Sequence, residues 1–294
     1  MKGPRTAEEL ARWRKAGVIS ARARDLGVSR AQPGVKLRDL AEEIEAFIRA
    51  EGAEPAFPAN LSRNQEAAHF TPSPEEEVAL RAGDLLKVDV GAHLDGAIAD
   101  TAMTVEVGGS GRYEPLLRAA VEGLEAALRE VRAGQRVEVL SRAIESAIHR
   151  RGFKPVRNLT GHSIERYLLH AGKSIPNVGG MSEELLEEGE VVAIEPFATN
   201  GAGEIENGPF GNIVRFRGDP AANSPELSGL FERFRTLPFT MRWVADGPER
   251  ALLRRGRRHL QTYPVFVEAG EGFVAQAEHT VRVGAEGAEV LTRL

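Results

Sequence analysis

Apolar residues recur every three or four positions in several stretches of the chain and alternate in others, which separates predicted helices from predicted strands. The first helical pattern opens at Thr6-Ala7-Glu8-Glu9, where Thr6 can accept from the free amides and an acid follows three positions later. It predicts a helix to about Asp25, ending before Gly27. A second helix is predicted over residues 37–50 and stopped by Gly52. The proline-rich stretch from Pro55 to Pro58 leads into short extended segments. Alternation over residues 85–93 and 97–107 predicts two strands of a hairpin around Leu94-Asp95-Gly96. Two amphipathic helices follow at 113–132 and 137–150, separated by Ala133-Gly134. Strand patterns return around 161–163, at 190–199, 263–267, 273–282 and 289–293. Between them, about 214–256 differs in character: 225–236 and 247–258 have helical spacing and Arg/Glu-rich faces. This stretch reads as a helical insertion in a strand-rich half. No short repeat or low-complexity segment is evident. The layout is α+β rather than alternating βαβ.

Composition narrows the function more than the fold. With 42% hydrophobic and 28% charged residues over 294 positions, the chain has the make-up of a globular protein with a sizeable core. The net charge of −5 and the lack of a long basic run argue against DNA or any partner held through phosphate contacts. There are 0 cysteines, so any metal must be held by carboxylates and imidazoles. The first nine residues carry charges without an apolar core, and no apolar run approaches the ~20 residues that span a bilayer. A cytoplasmic protein with no membrane partner is therefore expected.

The hairpin carries the first chemistry. A short loop at His93 to Gly96 sets position i opposite 189 − i, placing Asp89 across from Asp100. Side chains directly opposite have Cβ atoms roughly 4.5–5.5 Å apart. Asp89 lies among Val88 and Val90, Asp100 beside Ile98 and Ala99, so both would lose hydration while repelling one another. A cation between them, or a proton on one, would relieve this. The other reading makes one Asp a turn cap and the other a solvent-facing residue. Asp95, followed by Gly96, fits a turn better than a ligand.

Three more residues stand in strand or turn contexts that suit ligands. They are His162 in Gly161-His162-Ser163-Ile164, Glu195 in Ile194-Glu195-Pro196-Phe197, and Glu278 in Gln276-Ala277-Glu278-His279-Thr280. Each alone is equally a hydrogen-bonded turn histidine, an edge-strand glutamate or an exposed glutamate. In order, however, the set resembles the five metal ligands of the methionine aminopeptidases. The likeness spans Phe57 to Glu278 and extends to Asn64-Gln65-Glu66-Ala67-Ala68-His69-Phe70-Thr71-Pro72 and Leu169-His170-Ala171-Gly172-Lys173. It implies the pita-bread fold, with two pseudo-twofold halves and the metals between them, as a single catalytic domain over residues 1–294. The stretch near 214–256 falls where type II members carry an insertion. With no long charged extension before it, the chain looks like the short, archaeal-style form.

The resemblance also implies a mechanism. Two divalent ions would hold a bridging hydroxide near the scissile carbonyl and polarise it. Asp89, Asp100, His162, Glu195 and Glu278 would be the ligands, with Asp100 and Glu278 bridging. Glu195 would accept the water proton and pass it to the leaving amine. His69 and His170 would contact the substrate and steady the developing oxyanion. Without the resemblance, His69 reads as a core histidine bonded to a backbone carbonyl. Phe57, Leu169, Phe197 and Tyr263 match positions of the methionine pocket, with Pro238 a weaker match, although all suit a plain core equally. Carboxylates, one imidazole and no thiolate favour Mn, Fe or Co, and Zn would also bind. The implied substrate is the N-terminal methionine of nascent polypeptides with a small second residue. The protein is expected to be a monomer, with ribosome docking left open.

Two other functions compete. One is a proline-specific peptidase of the same fold, although such enzymes usually carry an extra N-terminal domain and the first ligand here is already residue 89. The other is an inactive homologue that only binds, which the complete ligand set opposes.

Overall fold

The computed structural model of the chain describes residues 3–244 and 247–294. Helix α1 (Ala7–Arg30) starts where the sequence places it, with the Thr6 hydroxyl accepting from the Glu9 amide. It runs past the predicted stop, and Gly27 lies inside it. A Cβ at Gly27 would sit 2.7 Å from both Ile44 and Val88, so this glycine permits close packing rather than ending the helix. Helix α2 (Leu37–Ala50) buries Leu37, Leu40, Ala41, Ile44 and Ile48, the face its periodicity predicts.

Short strands β1 (Glu54–Pro55), β2 (Asn60–Arg63) and β3 (Glu66–Ala68) lead to the long hairpin β4 (Leu85–Leu94) and β5 (Ala97–Glu106). Helices α3 (Glu114–Leu128) and α4 (Val137–Arg150) follow. Strands β6 (Lys154–Pro155), β7 (Thr160–Ile164), β8 (Ser174–Pro176), β9 (Val191–Ile194) and β10 (Phe197–Thr199) complete the middle of the chain. The last third contains β11 (Ile205–Phe216), α5 (Ser228–Phe234), β12 (Phe239–Thr240), α6 (Pro248–Arg255) and β13 (Leu260–Glu268). It ends with β14 (Val274–Gln276), β15 (His279–Val283) and β16 (Ala288–Val290).

The course from Gly34 to Asn60 recurs 100 residues later. Helix α4 repeats α2, β6 repeats β1, and Gly34, Leu40, Ile44, Glu45, Ile48, Gly52 and Pro55 have identical counterparts at 134, 140, 144, 145, 148, 152 and 155. Gly52 and Gly152 close the paired helices with φ of 79° and 80°, a conformation that favours glycine. The two copies lie 100 residues apart, too far for a short-period pattern to show them. This recurrence is the sequence trace of the two-halved pita-bread fold. One core packs α1 and α2 on the β4 sheet, and another packs α3 and α4 on the sheet containing β9 and β15.

The sequence pattern passes over β11, a strand that contains Gly208, Pro209 and Gly211. Residues of that kind argue against a strand. Two register shifts in its pairing with β13 accommodate them. Val214 therefore lies in a strand, and β12 pairs with Ile213 and Val214 rather than continuing a helical run. A small apolar cluster of Phe216, Leu227, Leu230, Phe234, Phe239 and Leu253 joins α5 and α6 to β11. Among the described residues, no helix is long and apolar enough to cross a membrane.

Candidate metal centre

The hairpin turns one residue later along the chain than expected. Leu94 faces Ala97, leaving Asp95-Gly96 as the loop, both with positive φ (50° and 80°), as a two-residue β-hairpin requires. Asp89 thus pairs with Ala102 and Asp100 with Gly91, and the predicted direct pairing of the two acids is corrected to a diagonal one. The slip is by two in the register sum, so both side chains stay on one face. The Asp95 carboxylate accepts from the Tyr167 hydroxyl at 3.0 Å, consistent with a turn role.

Three segments bring the other groups to this face. Strand β7 carries His162, whose Nε2 lies 3.7 Å from Asp100 Oδ2 and 3.5 Å from Glu195 Oε1. Its Nδ1 faces the Ser163 carbonyl at 3.3 Å, which favours the tautomer that leaves Nε2 as a lone pair. Glu195 lies where Pro196 interrupts the run from β9 to β10. Glu278 lies between β14 and β15, its amide donating to the Ala102 carbonyl at 3.0 Å. The Thr280 hydroxyl ties β15 to β5 by donating to the Asp100 carbonyl and accepting from the Asp100 amide, at 2.8 and 2.7 Å. Ligand atoms of Asp100, His162 and Glu278 all lie within 4.8 Å of one another.

Three buried carboxylates, Asp89, Asp100 and Glu278, and the largely buried Glu195 share too few donors. The Asn60 amide reaches Asp89 and the Gln276 amide reaches Glu278, each at 3.3 Å. Asp89 Oδ1, Asp100 Oδ1 and Glu278 Oε1 have no hydrogen-bond partner. Burial raises the pKa of Asp89 to about 7. Burial, and then the neighbouring carboxylates, raises Asp100, Glu195 and Glu278 well above the usual range. Burial also lowers His162 to about 4, so its ring is neutral at physiological pH and able to coordinate. Orphaned acceptors around a neutral imidazole fit divalent cations, and the all-oxygen-and-nitrogen donor set fits hard or borderline ions.

A cavity of about 250 Å³ opens on this cluster. All five ligand candidates line it, as do His69, His170, Phe57, Leu169, Phe197, Tyr263 and Pro238. Strand β3 ends at Ala68, and His69 adopts φ 67°, placing its ring 4.5 Å from Phe266 and 5.2 Å, edge-on, from Tyr263. Such a backbone is costly for a non-glycine residue and clusters at functional sites. Burial holds His69 at about 4, and its Nδ1 has no hydrogen-bond partner. The His170 ring stands 4.3 Å from that of His162. Its loop is pinned by the buried Lys173–Glu190 ion pair (2.6 Å) and by bonds of Ser163 with Ala171 and Lys173. His93, His149, His259 and His279 are not among the cavity-lining residues.

Sequence reasoning missed Asn60, Asn158, Thr160, Ile213 and Phe266, which also line the cavity. Asn60 and Thr160 occupy equivalent places in the two copies of the repeat, and this was the available signal. Ile213 lies on the overlooked strand β11.

The model of metallopeptidase family M24 matches residues 11–285. A methionine aminopeptidase of Pyrococcus horikoshii is 44% identical over 289 residues, covering 95% of this chain and 97% of that one. Another from Archaeoglobus fulgidus is 44% identical over 284 residues, with 95% and 97% covered. The crystal structure of a methionine aminopeptidase from Thermotoga maritima superposes with a TM-score of 0.75, covering 100% of both chains at 24% identity.

Proposed function

Since the chain belongs to the methionine aminopeptidases of metallopeptidase family M24, in their short archaeal form, we propose that its buried acid cluster is the centre that releases N-terminal methionine from proteins. The observation that carries this reading is the cluster's shortage of donors, set beside an aromatic-walled cavity. Divalent metal ions belong to the family's activity. Here Asp89, Asp100, His162, Glu195 and Glu278 would hold two of them, Mn, Fe or Co before Zn. Bound ions supply an activated water and polarise the scissile carbonyl.

The protein's own groups do the rest. Phe57, Leu169, Phe197 and Tyr263 receive the unbranched methionine side chain, whose sulfur gains roughly 0.3–1.5 kcal/mol from a ring edge. Neutral His69 and His170 offer N–H groups to the carbonyl oxygen as it gains charge. Glu195, whose pKa is raised by burial and the neighbouring Asp89, holds a proton at its carboxyl oxygen and returns it to the leaving amine. The tight cavity accepts a small second residue. We read residues 214–256 as the type II insertion within a single catalytic domain. We read the protein as a cytoplasmic monomer acting on nascent chains, with ribosome docking a separate question.

Metal-free protein given Mn, Co, Fe or Zn and peptides beginning Met-Ala or Met-Gly should release methionine. An Ala-Pro peptide should stay intact. Cleavage of the proline peptide instead would move the activity to a proline-specific peptidase. No hydrolysis with any metal by the folded protein would leave a binding protein.

A further inference from the structure

The cavity-facing side of the β11–β13 sheet continues beyond the cavity. Arg215 pairs with Gln261, and residues two apart on a strand share a face. One step inward on that face are Ile213 and Tyr263, both lining the cavity; one step outward are Arg215 and Gln261, which do not line it. Arg215 is half-buried, and its Nε and Nη2 donate to Gln261 Oε1 at 3.1 and 2.9 Å. Among the described residues no carboxylate pairs with it, and its Nη1 makes no bond. Its charge reaches His170 and Tyr263, contributing after burial to the lowered pKa of the one and partly offsetting the raised pKa of the other. A cation fixed at the rim of an acid-lined cavity, with one side oriented by a glutamine and the other free, is arranged to receive an anion.

We propose that Arg215 is a specificity-determining residue that binds a carboxylate on the third residue of the polypeptide. The spacing sets the position. From Ile213 to Arg215 is roughly 6.6 Å along the strand, and an extended peptide covers about the same distance in two residues. With methionine beside Ile213 and Tyr263, the residue two places on lies beside Arg215. The carboxylate can be an Asp or Glu side chain, or the chain end of a tripeptide. Planar guanidinium recognition suits either. The proposal rests on the methionine-releasing reading of the site.

The test uses the metal-loaded full chain and amidated hexapeptides that begin Met-Ala-Asp, Met-Ala-Asn or Met-Ala-Lys and are otherwise identical. The wild type should favour Asp over Asn by about three- to tenfold in kcat/KM, through KM, and disfavour Lys; a partly exposed charge-assisted bond has this size. The preference should shrink in high salt. In Arg215→Gln the Asp/Asn ratio should fall to about one. Met-Ala-Gly with a free carboxylate, compared with its amide, reads the chain-end source. Methionine release with equal rates on Asp and Asn peptides would overturn the proposal alone, as would a preference that survives Arg215→Gln. An equal loss on every peptide in the variant would make Arg215 a support of the cavity and also overturn it. No release from any peptide by the wild type would sink the underlying reading as well.

Discussion

Two regions of this molecule bury acids, and they do so in opposite ways. Glu45, on α2, is 2% exposed and accepts from four donors: the Ala59 amide, both Nη atoms of Arg242 and the Trp243 indole. Its charge is matched by a cation the sequence itself supplies, Arg242, which also reaches Thr71 and the Pro72 carbonyl. The acid cluster on β4, on β5, just after β9 and between β14 and β15 has four carboxylates, two amide donors at 3.3 Å and three orphaned oxygens. Desolvating a carboxylate costs several kcal/mol wherever it happens. At Glu45 the fold offsets that cost within the chain. At the cluster it leaves the cost to be met from outside, which is how a buried acid kept for chemistry differs from one kept for architecture.

Four measurements would sharpen or break this contrast. The largest effect belongs to Asp100→Ala, which should reduce methionine release by at least about a thousandfold and lower the metal content of the purified protein. Activity within tenfold of wild type would remove Asp100 from the centre. Next is the internally satisfied pair. Arg242→Met should cost about 3–5 kcal/mol in urea unfolding, because it strands the Glu45 charge. Adding Glu45→Gln should recover part of that loss, and a double variant worse than the single would show the acid does not depend on its cation.

The third measurement concerns pH. An acid whose pKa is raised by folding stays protonated in the native state while the unfolded chain gives up its proton. Stability therefore falls as pH climbs from the unfolded value, 3.8 for Asp89, through its folded value of about 7. Asp100, Glu195 and Glu278, raised by burial and then by neighbouring carboxylates, extend that loss upward. Metal-free protein should melt at a lower temperature at pH 8 than at pH 5.5. Mn at a hundredfold excess over its Kd adds about 2.7 kcal/mol, or roughly 5–10 °C, and should reverse the trend. A metal-free Tm independent of pH would mean the acids are not strained. The smallest effect is in the pocket wall. A Cβ at Gly91 would lie 2.4 Å from the Phe57 ring and 3.0 Å from the Ala99 carbonyl. Gly91→Ala should therefore raise KM for a Met-Ala peptide a few-fold, roughly what a displaced side chain costs.

Much of this was legible in the sequence, for identifiable reasons. Residues 37–50 and 137–150 were placed correctly because their apolar spacing meets one packed face and a positive-φ glycine ends each helix. The hairpin was placed but its register was not, because Asp95-Gly96 alone makes the turn and the apolar pattern barely distinguishes registers that differ by two. Helix α1 was cut short at Gly27 because a glycine chosen for contact with Ile44 and Val88 looks locally like one that ends a helix. Strand β11 stayed hidden because its bulges use residues that normally mark loops. The residues named for the site came from a family likeness and from costly burial near apolar runs. Those missed were neutral side chains, such as Phe266 and Ile213, whose place depends on tertiary contacts that no local pattern records.

The order of the acids and the imidazole along the chain gives the centre a second consequence. Asp89 and Glu278 are 278 − 89 = 189 residues apart, and they meet only where β15 lies against the hairpin. A chain with 0 cysteines has no disulfide to join its early and late parts. Ions held between these side chains would close that loop in the folded chain, and by binding it in preference to the unfolded one they would stabilise it by an amount set by ion concentration relative to Kd. The feature that would equip the cavity for hydrolysis would thus also serve as the molecule's removable staple, opened by a chelator rather than by a reductant.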